Sequence, residues 1–140
     1  MSSTLNPYLT FPGTAREAME FYRDVFGGEL TVTTFAEFGL SDVPNPEHVM
    51  HARLDTSAGY VLMASDTAPG VTMTPGSAIT ISISGDDADA LGAYWAALAA
   101  AGTVTLAFER QMWGDEFGML TDRFGIDWMI NVAATAGADG

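Results

Sequence analysis

One local pattern occurs in both halves of this 140-residue chain: a short strand, a turn of small residues and an amphipathic helix closed by glycine. In the first half it reads Tyr8-Leu9-Thr10-Phe11, then Pro12-Gly13-Thr14, then a helix ending at Phe26-Gly27-Gly28. In the second it reads Ile79-Thr80-Ile81-Ser82-Ile83, then Ser84-Gly85-Asp86-Asp87, then a helix ending at Gly102. Three further strand-like runs follow each. A duplication of this size restricts the fold, because half-sheets too small to bury their own faces must pair. The expected architecture is α+β: two tandem βαβββ units forming a curved, barrel-like mixed sheet around a cleft, with the helices outside.

Periodicity supplies the boundaries. Ala18, Met19, Phe21, Tyr22 and Val25 share one stripe of a helix over 15–26, and Gly27-Gly28 stops it. Leu91, Tyr94, Trp95 and Leu98 mark a second helix over 87–101, with Asp86 or Asp87 as its cap. Strands are expected over 29–35, 49–55 and 60–65 in the first half, and over 103–113, 117–121 and 126–132 in the second. The first half then spans about 5–66 and the second about 78–132 of one domain. Residues 67–77, with Pro69-Gly70 and Pro75-Gly76, read as the linker, and the small-residue tail 133–140 is expected to fray. Residues 36–48, with Gly39, Pro44 and Pro46, form an irregular stretch readable as a lid or as a plain connection.

Composition removes much of the chemical menu. The chain has no cysteine, so thiol nucleophiles and thiolate metal sites are excluded. Its five basic side chains are all arginine, which leaves no side-chain amine for Schiff-base chemistry. A formal charge of −13 argues against nucleic acid and anionic membrane as partners and favours cationic ligands. No targeting or membrane-spanning segment is visible, so a cytoplasmic location is expected. No phosphate-loop spacing and no nucleotide or S-adenosylmethionine motif occurs.

Period-two reading separates the strand faces. With Leu9, Phe11, Ile79, Ile81, Ile83, Trp128 and Ile130 under the helices, Tyr8, Thr10, Thr80, Ser82, Asp127, Met129 and Asn131 face the concavity, joined by Met63 and Ser65. Such a mixture of aromatic, thioether, hydroxyl and carboxylate groups suits a small-molecule site. Asp127 is a candidate general base or anchor for a cation; as an exposed carboxylate beside Arg123 it would be neither. His51, Arg53 and Asp55 share one strand face, which either looks into the cleft or forms a solvated, salt-bridged surface. His48 and His51 have the HxxH spacing, but at the entry of a strand residues three apart point to opposite faces, so a metal pair is not expected. Trp113 is placed to stack on a planar ligand or close one end of the cleft, Asp115 to pin the adjacent turn, and Met112 and Met119 to fill the core.

The order Asn6-Pro7-Tyr8-Leu9, Glu17-Ala18-Met19-Glu20-Phe21-Tyr22, Phe26-Gly27-Gly28, Met50-His51-Ala52-Arg53-Leu54 and Leu62-Met63-Ala64-Ser65-Asp66 resembles the PhnB-like branch of the vicinal oxygen chelate superfamily. That superfamily includes glyoxalases, bleomycin-resistance proteins and extradiol dioxygenases. Trp113-Gly114-Asp115-Glu116-Phe117-Gly118-Met119-Leu120-Thr121-Asp122-Arg123-Phe124-Gly125 and Trp128-Met129-Ile130-Asn131 resemble the same branch's C-terminal signature. In its metal-dependent members, His or carboxylate ligands come from the first and last strands of each half. By this resemblance the four positions are Asn6, Met63, Ala78 and Met129, none a hard-metal ligand. No metal and no other cofactor is therefore expected.

Three functions remain open. The first is metal-free binding of a small molecule, cationic and aromatic in character, by a homodimer. The second is a lyase, isomerase or dioxygenase-type enzyme of the same superfamily, using Asp127, Tyr8 or His51. The third is a structural or regulatory dimer with no ligand.

Overall fold

Between Ala15 and Phe26 apolar side chains recur every third or fourth residue, and this stripe is the inner face of helix α1 (Ala15–Phe26), where Ala15, Ala18, Met19, Tyr22 and Phe26 are buried. The structure is a computed structural model that describes residues 5–69, 71, 76 and 79–134. It divides into two compact units, Met1–Pro75 and Gly76–Gly140. The boundary falls within the expected linker, much of which lies outside the described residues.

In the first unit α1 follows β1 (Tyr8–Phe11) and precedes β2 (Glu29–Thr34), β3 (Val49–Asp55) and β4 (Val61–Asp66). The sheet order is β1-β4-β3-β2, with β1 parallel to β4 and the other pairs antiparallel. Helix α1 covers one face, sealing Phe11, Ala52, Leu54 and Ala64. Each fully buried Leu or Phe there contributes roughly 1.5–3 kcal/mol of transfer free energy. The helix leaves the sheet through Gly28 at φ 109°, where any Cβ would collide with the Asp55 carbonyl. That close approach fixes the helix end against the end of β3.

The second unit repeats the order: β5 (Ile81–Gly85), α2 (Ala88–Ala99), β6 (Thr103–Arg110), β7 (Glu116–Thr121) and β8 (Asp127–Val132), with sheet order β5-β8-β7-β6. The parallel pair is β5 and β8, in register Ile83↔Ile130. Trp128, Leu120, Ile130 and Leu98 form the centre of its core. Asp87 caps α2, accepting from the Ala90 N–H at 3.1 Å. Each unit is thus βαβββ with its helix on one face of a four-stranded mixed sheet, as the duplication implied; neither sheet is a closed barrel.

Four expectations need correction. Ile79 is 82% exposed and precedes β5, because the parallel register would set it against Ile126, whose N–H and carbonyl already bond to Asp122 in the β7–β8 turn. The expected strand over 103–113 stops at Arg110, because Gln111 N–H bonds to the Asp115 carbonyl and Gly114 N–H to the Gln111 carbonyl, making a turn. Met112, at the tip of that turn, is 98% exposed and is no core residue. The tail is held at its start: Ala133 N–H bonds to the Gly85 carbonyl and Ala134 N–H to the Asp115 carboxylate. Residues 135–140 lie outside the described residues.

Candidate functional site

The face of the first sheet opposite α1 carries the chemistry. Cross-strand registers Tyr8↔Met63, Thr10↔Ser65, Arg53↔Met63, Thr31↔Arg53 and Thr33↔His51 put these side chains on one side, because the alternate residues Leu9, Phe11, Ala52, Leu54 and Ala64 are taken by the helix. The expected group Tyr8, Thr10, His51, Arg53, Met63 and Ser65 is therefore brought together on one surface. Within it the Tyr8 hydroxyl and His51 Nδ1 share a hydrogen bond of 3.2 Å, with ring centroids 5.9 Å apart. An imidazole held by a phenol has its second nitrogen available to a ligand.

Arg53 is committed locally. Its Nε and Nη2 donate to Asp55 at 3.0 Å, two residues along the same strand and on the same face. The pairing holds the Asp55 carboxyl below its ordinary value and raises Arg53 further, in both cases first through the side-chain hydrogen bond. Both side chains are about half exposed, so the pair adds little stability. Its effect is to neutralise the one cation on this face.

The second unit's counterpart face holds Ser82, Thr121, Asp127, Met129 and Asn131 opposite the helix-covered Trp128 and Ile130. Asp127 Oδ1 accepts from the Thr121 hydroxyl at 2.6 Å, a cross-strand bond that orients the carboxylate. Trp113 sits in the β6–β7 turn, 58% exposed and edge-on at 6.0 Å to Phe117, the cross-strand partner of Asn131. Asp115 joins the turn to the end of β8, accepting from Ala134 N–H at 2.9 Å and Asn131 Nδ2 at 3.1 Å. Those bonds, the Ala134 N–H first, hold its carboxyl below the ordinary value.

Sequence reasoning missed Asp66. Buried at the end of β4, it accepts from Gly13 and Ala15 N–H through Oδ1 and from Val49 N–H through Oδ2, all at 2.8–2.9 Å. It therefore caps α1 in place of Thr14, which makes no side-chain cap, and ties three segments together. No local pattern could have found it, since its partners are 17 to 53 residues away.

The donor set at the four positions implied by the superfamily does not fit a hard metal. Asn6 donates its amide to the Pro7 carbonyl at 3.1 Å, Met63 and Met129 offer thioethers, and Ala78 lies outside the described residues. Among the described residues no three His, Asp or Glu side chains converge as a metal ion needs. His48 precedes β3 and leans on Gly13, away from the helix-free face that carries His51.

Residues 3–131 match the family described as 3-demethylubiquinone-9 3-methyltransferase. The chain belongs to that PhnB-like family. Among solved structures, this PhnB-like chain is similar to protein PA1353 from Pseudomonas aeruginosa: 36% identity over 94% of this chain and 98% of that one, TM-score 0.80. It is also similar to a PhnB protein from Bacillus cereus, described as a putative 3-demethylubiquinone-9 3-methyltransferase, at 24% identity over 94% and 100% of the two chains, TM-score 0.72. A glyoxalase/bleomycin resistance protein from Albidiferax ferrireducens T118 shares the fold, at 14% identity over 94% and 100%, TM-score 0.63. The chain thus has the fold of a glyoxalase/bleomycin resistance protein.

Proposed function

We propose that this PhnB-like protein binds a small molecule on the helix-free face of its first sheet, without a metal. The observation that carries the reading is the Tyr8–His51 hydrogen bond beside Met63, a polar and polarizable cluster on the face that helix α1 does not cover. We extend this first-unit surface to Thr10, Arg53 and Ser65, and propose Asp127, Met129 and Trp113 separately as ligand contacts of the second unit. With Arg53 neutralised by Asp55 and the chain at −13, the reading favours an aromatic or amphipathic cation. Methyl transfer, named in the family's description, is not part of it, since the sequence carries no S-adenosylmethionine motif. The protein is read as a cytoplasmic homodimer that leaves nucleic acid and membranes alone; among the described residues no helix is long and apolar enough to cross a membrane.

A second reading is an isomerase- or lyase-like enzyme. It is favoured by the same pair, because a phenol bonded to an imidazole can hand a proton to a bound substrate. Calorimetric titration against matched aromatic cations and anions tests the binding reading, with His51→Ala expected to abolish measurable heat. Equal affinity for anions, or no effect of the substitution, contradicts it. Elemental analysis after dialysis is expected to return no stoichiometric divalent transition metal; one Zn, Ni, Mn or Fe per chain contradicts the metal-free part.

A further inference from the structure

A second candidate ligand site lies at the opposite end of the first sheet from Tyr8. Past the carboxyl ends of the parallel strands β1 and β4 the structure has a pocket of about 270 Å³. Its apolar wall is Pro12, Phe35, Pro44 and Pro69, and its polar groups are the side chains of Asn45, His48 and Thr67. None of these three side chains makes a hydrogen bond or ion pair within the described residues. The backbone around them is fixed all the same. Phe35 N–H bonds to the His48 carbonyl, Ala36 N–H to the Pro46 carbonyl, His48 N–H to the Asn45 carbonyl and Thr67 N–H to the Phe11 carbonyl. The His48 ring is also seated against Gly13, 3.1 Å from where a Cβ would stand. A concavity with an apolar wall, a hydrogen-bonded backbone and three open hydrogen-bonding groups suits a ligand.

We propose that this pocket binds an uncharged, planar one-ring molecule that presents a hydrogen-bond donor and an acceptor along one edge, of the phenol or aromatic-amide class. Size sets the one-ring limit, since the volume lies at or below the ~300–1,000 Å³ of sites for drug-sized molecules. Charge follows from the lining. No carboxylate or arginine borders the pocket, so a cation would be desolvated without a counter-charge and an anion would meet no permanent positive charge. The neighbouring helix end, which would otherwise attract an anion, is already satisfied by the Asp66 carboxylate on Gly13 and Ala15 N–H. The flat faces of three prolines and Phe35 accept a ring, while the side chains of His48, Asn45 and Thr67 between them offer donors and acceptors. The loop over 36–48 supplies the Pro44, Asn45 and His48 side of this site.

Protein-observed NMR on the full chain decides the matter, with 4-hydroxybenzamide and nicotinamide as neutral probes and benzoate and benzamidine as charged counterparts of similar size. The expected result is saturable shifts at Phe35, His48 and Thr67 for the neutral probes, at least tenfold weaker binding of the charged ones, and a tenfold or greater loss in His48→Ala. Ala68→Phe, at an exposed position on the pocket's border, fills the space and is expected to abolish binding while leaving the circular dichroism spectrum and melting temperature unchanged. The proposal is overturned if the neutral probes leave these residues unshifted, if benzoate or benzamidine binds as well, or if a folded Ala68→Phe binds normally.

Discussion

The two βαβββ units share an order of elements and differ in how they are closed. Helix α1 is amphipathic and buries five side chains; α2 is apolar nearly all round, has no charged residue after Asp89, and buries only Leu91 and Leu98. The α1 N-terminus is held by a carboxylate from β4 that also grips β3, whereas the α2 N-terminus is held by its own Asp87. The buried carboxylate of the second unit, Asp122, accepts from Phe124, Ile126 and the Trp128 indole, all within six residues. A duplicated fold can thus keep its topology while one helix start is held by a carboxylate from a distant strand and the other by its own cap residue. The first unit carries the Tyr8–His51 face and the His48 pocket.

The largest effect that tests this contrast is in the cores. Phe11→Ala is expected to destabilise by about 3–5 kcal/mol, and Trp95→Ala, at a half-buried ring stacked on Phe108 at 5.0 Å, by no more than about half of that. Equal losses in denaturant titration would erase the difference between the helices. Next come the anchors. Asp66→Asn, which leaves a buried backbone N–H without its acceptor, is expected to cost about 1–3 kcal/mol, against about 1 kcal/mol for Asp87→Ala at the solvated cap. Hydrogen exchange sharpens this: Asp66→Asn should speed exchange at Val49 and Ala15 together, and Asp87→Ala only within the first turn of α2. Exchange confined to one segment in Asp66→Asn would break the claim of a long-range tie.

The smallest effect is electrostatic. The Asp115 carboxyl is depressed in the folded state, so its stabilisation is complete above the ordinary Asp value of about 3.9 and is lost as pH falls through the lower, folded-state value. Acid titration should therefore release the Ala134 amide only below that ordinary value. Asp115→Asn should remove the pH dependence of that amide without moving Val49. Release of Ala134 near neutral pH would contradict the assignment.

The repeat, both helices and the strand order's raw material were legible because they rest on local periodicity and on glycine stops. The face bearing Tyr8, His51, Arg53 and Met63 was legible for the same reason, since strand alternation is set by the residues themselves. What escaped depends on register and distance. Ile79 looked like strand until its would-be partner Ile126 proved to be bound to Asp122. Met112 looked like core because an apolar residue gives no sign that a turn carries it outward. Gly118 shows a similar blind spot: its Cβ would stand 2.7 Å from the Trp95 ring and within 3 Å of Phe108, so it is the floor for that stack, a role that only the tertiary contact reveals. Asp66 and the His48 pocket are built from segments far apart in the chain, and no window of sequence contains them.

The central claim is that the helix-free face of the first sheet is a ligand surface organised by Tyr8 and His51. Methyl-labelled methionine NMR reads it directly, because Met63 lies on that face in register with Tyr8, while Met19 is sealed beneath α1 as an internal control. Titration with aromatic cations is expected to shift Met63 saturably, leave Met19 still, and require at least tenfold more ligand in His51→Ala, a loss of about 1.4 kcal/mol or more, within the range for a hydrogen bond to a charged or polar ligand. A Met63 resonance that does not move with any member of the cation and anion panel, or one that moves identically in His51→Ala, would contradict the account.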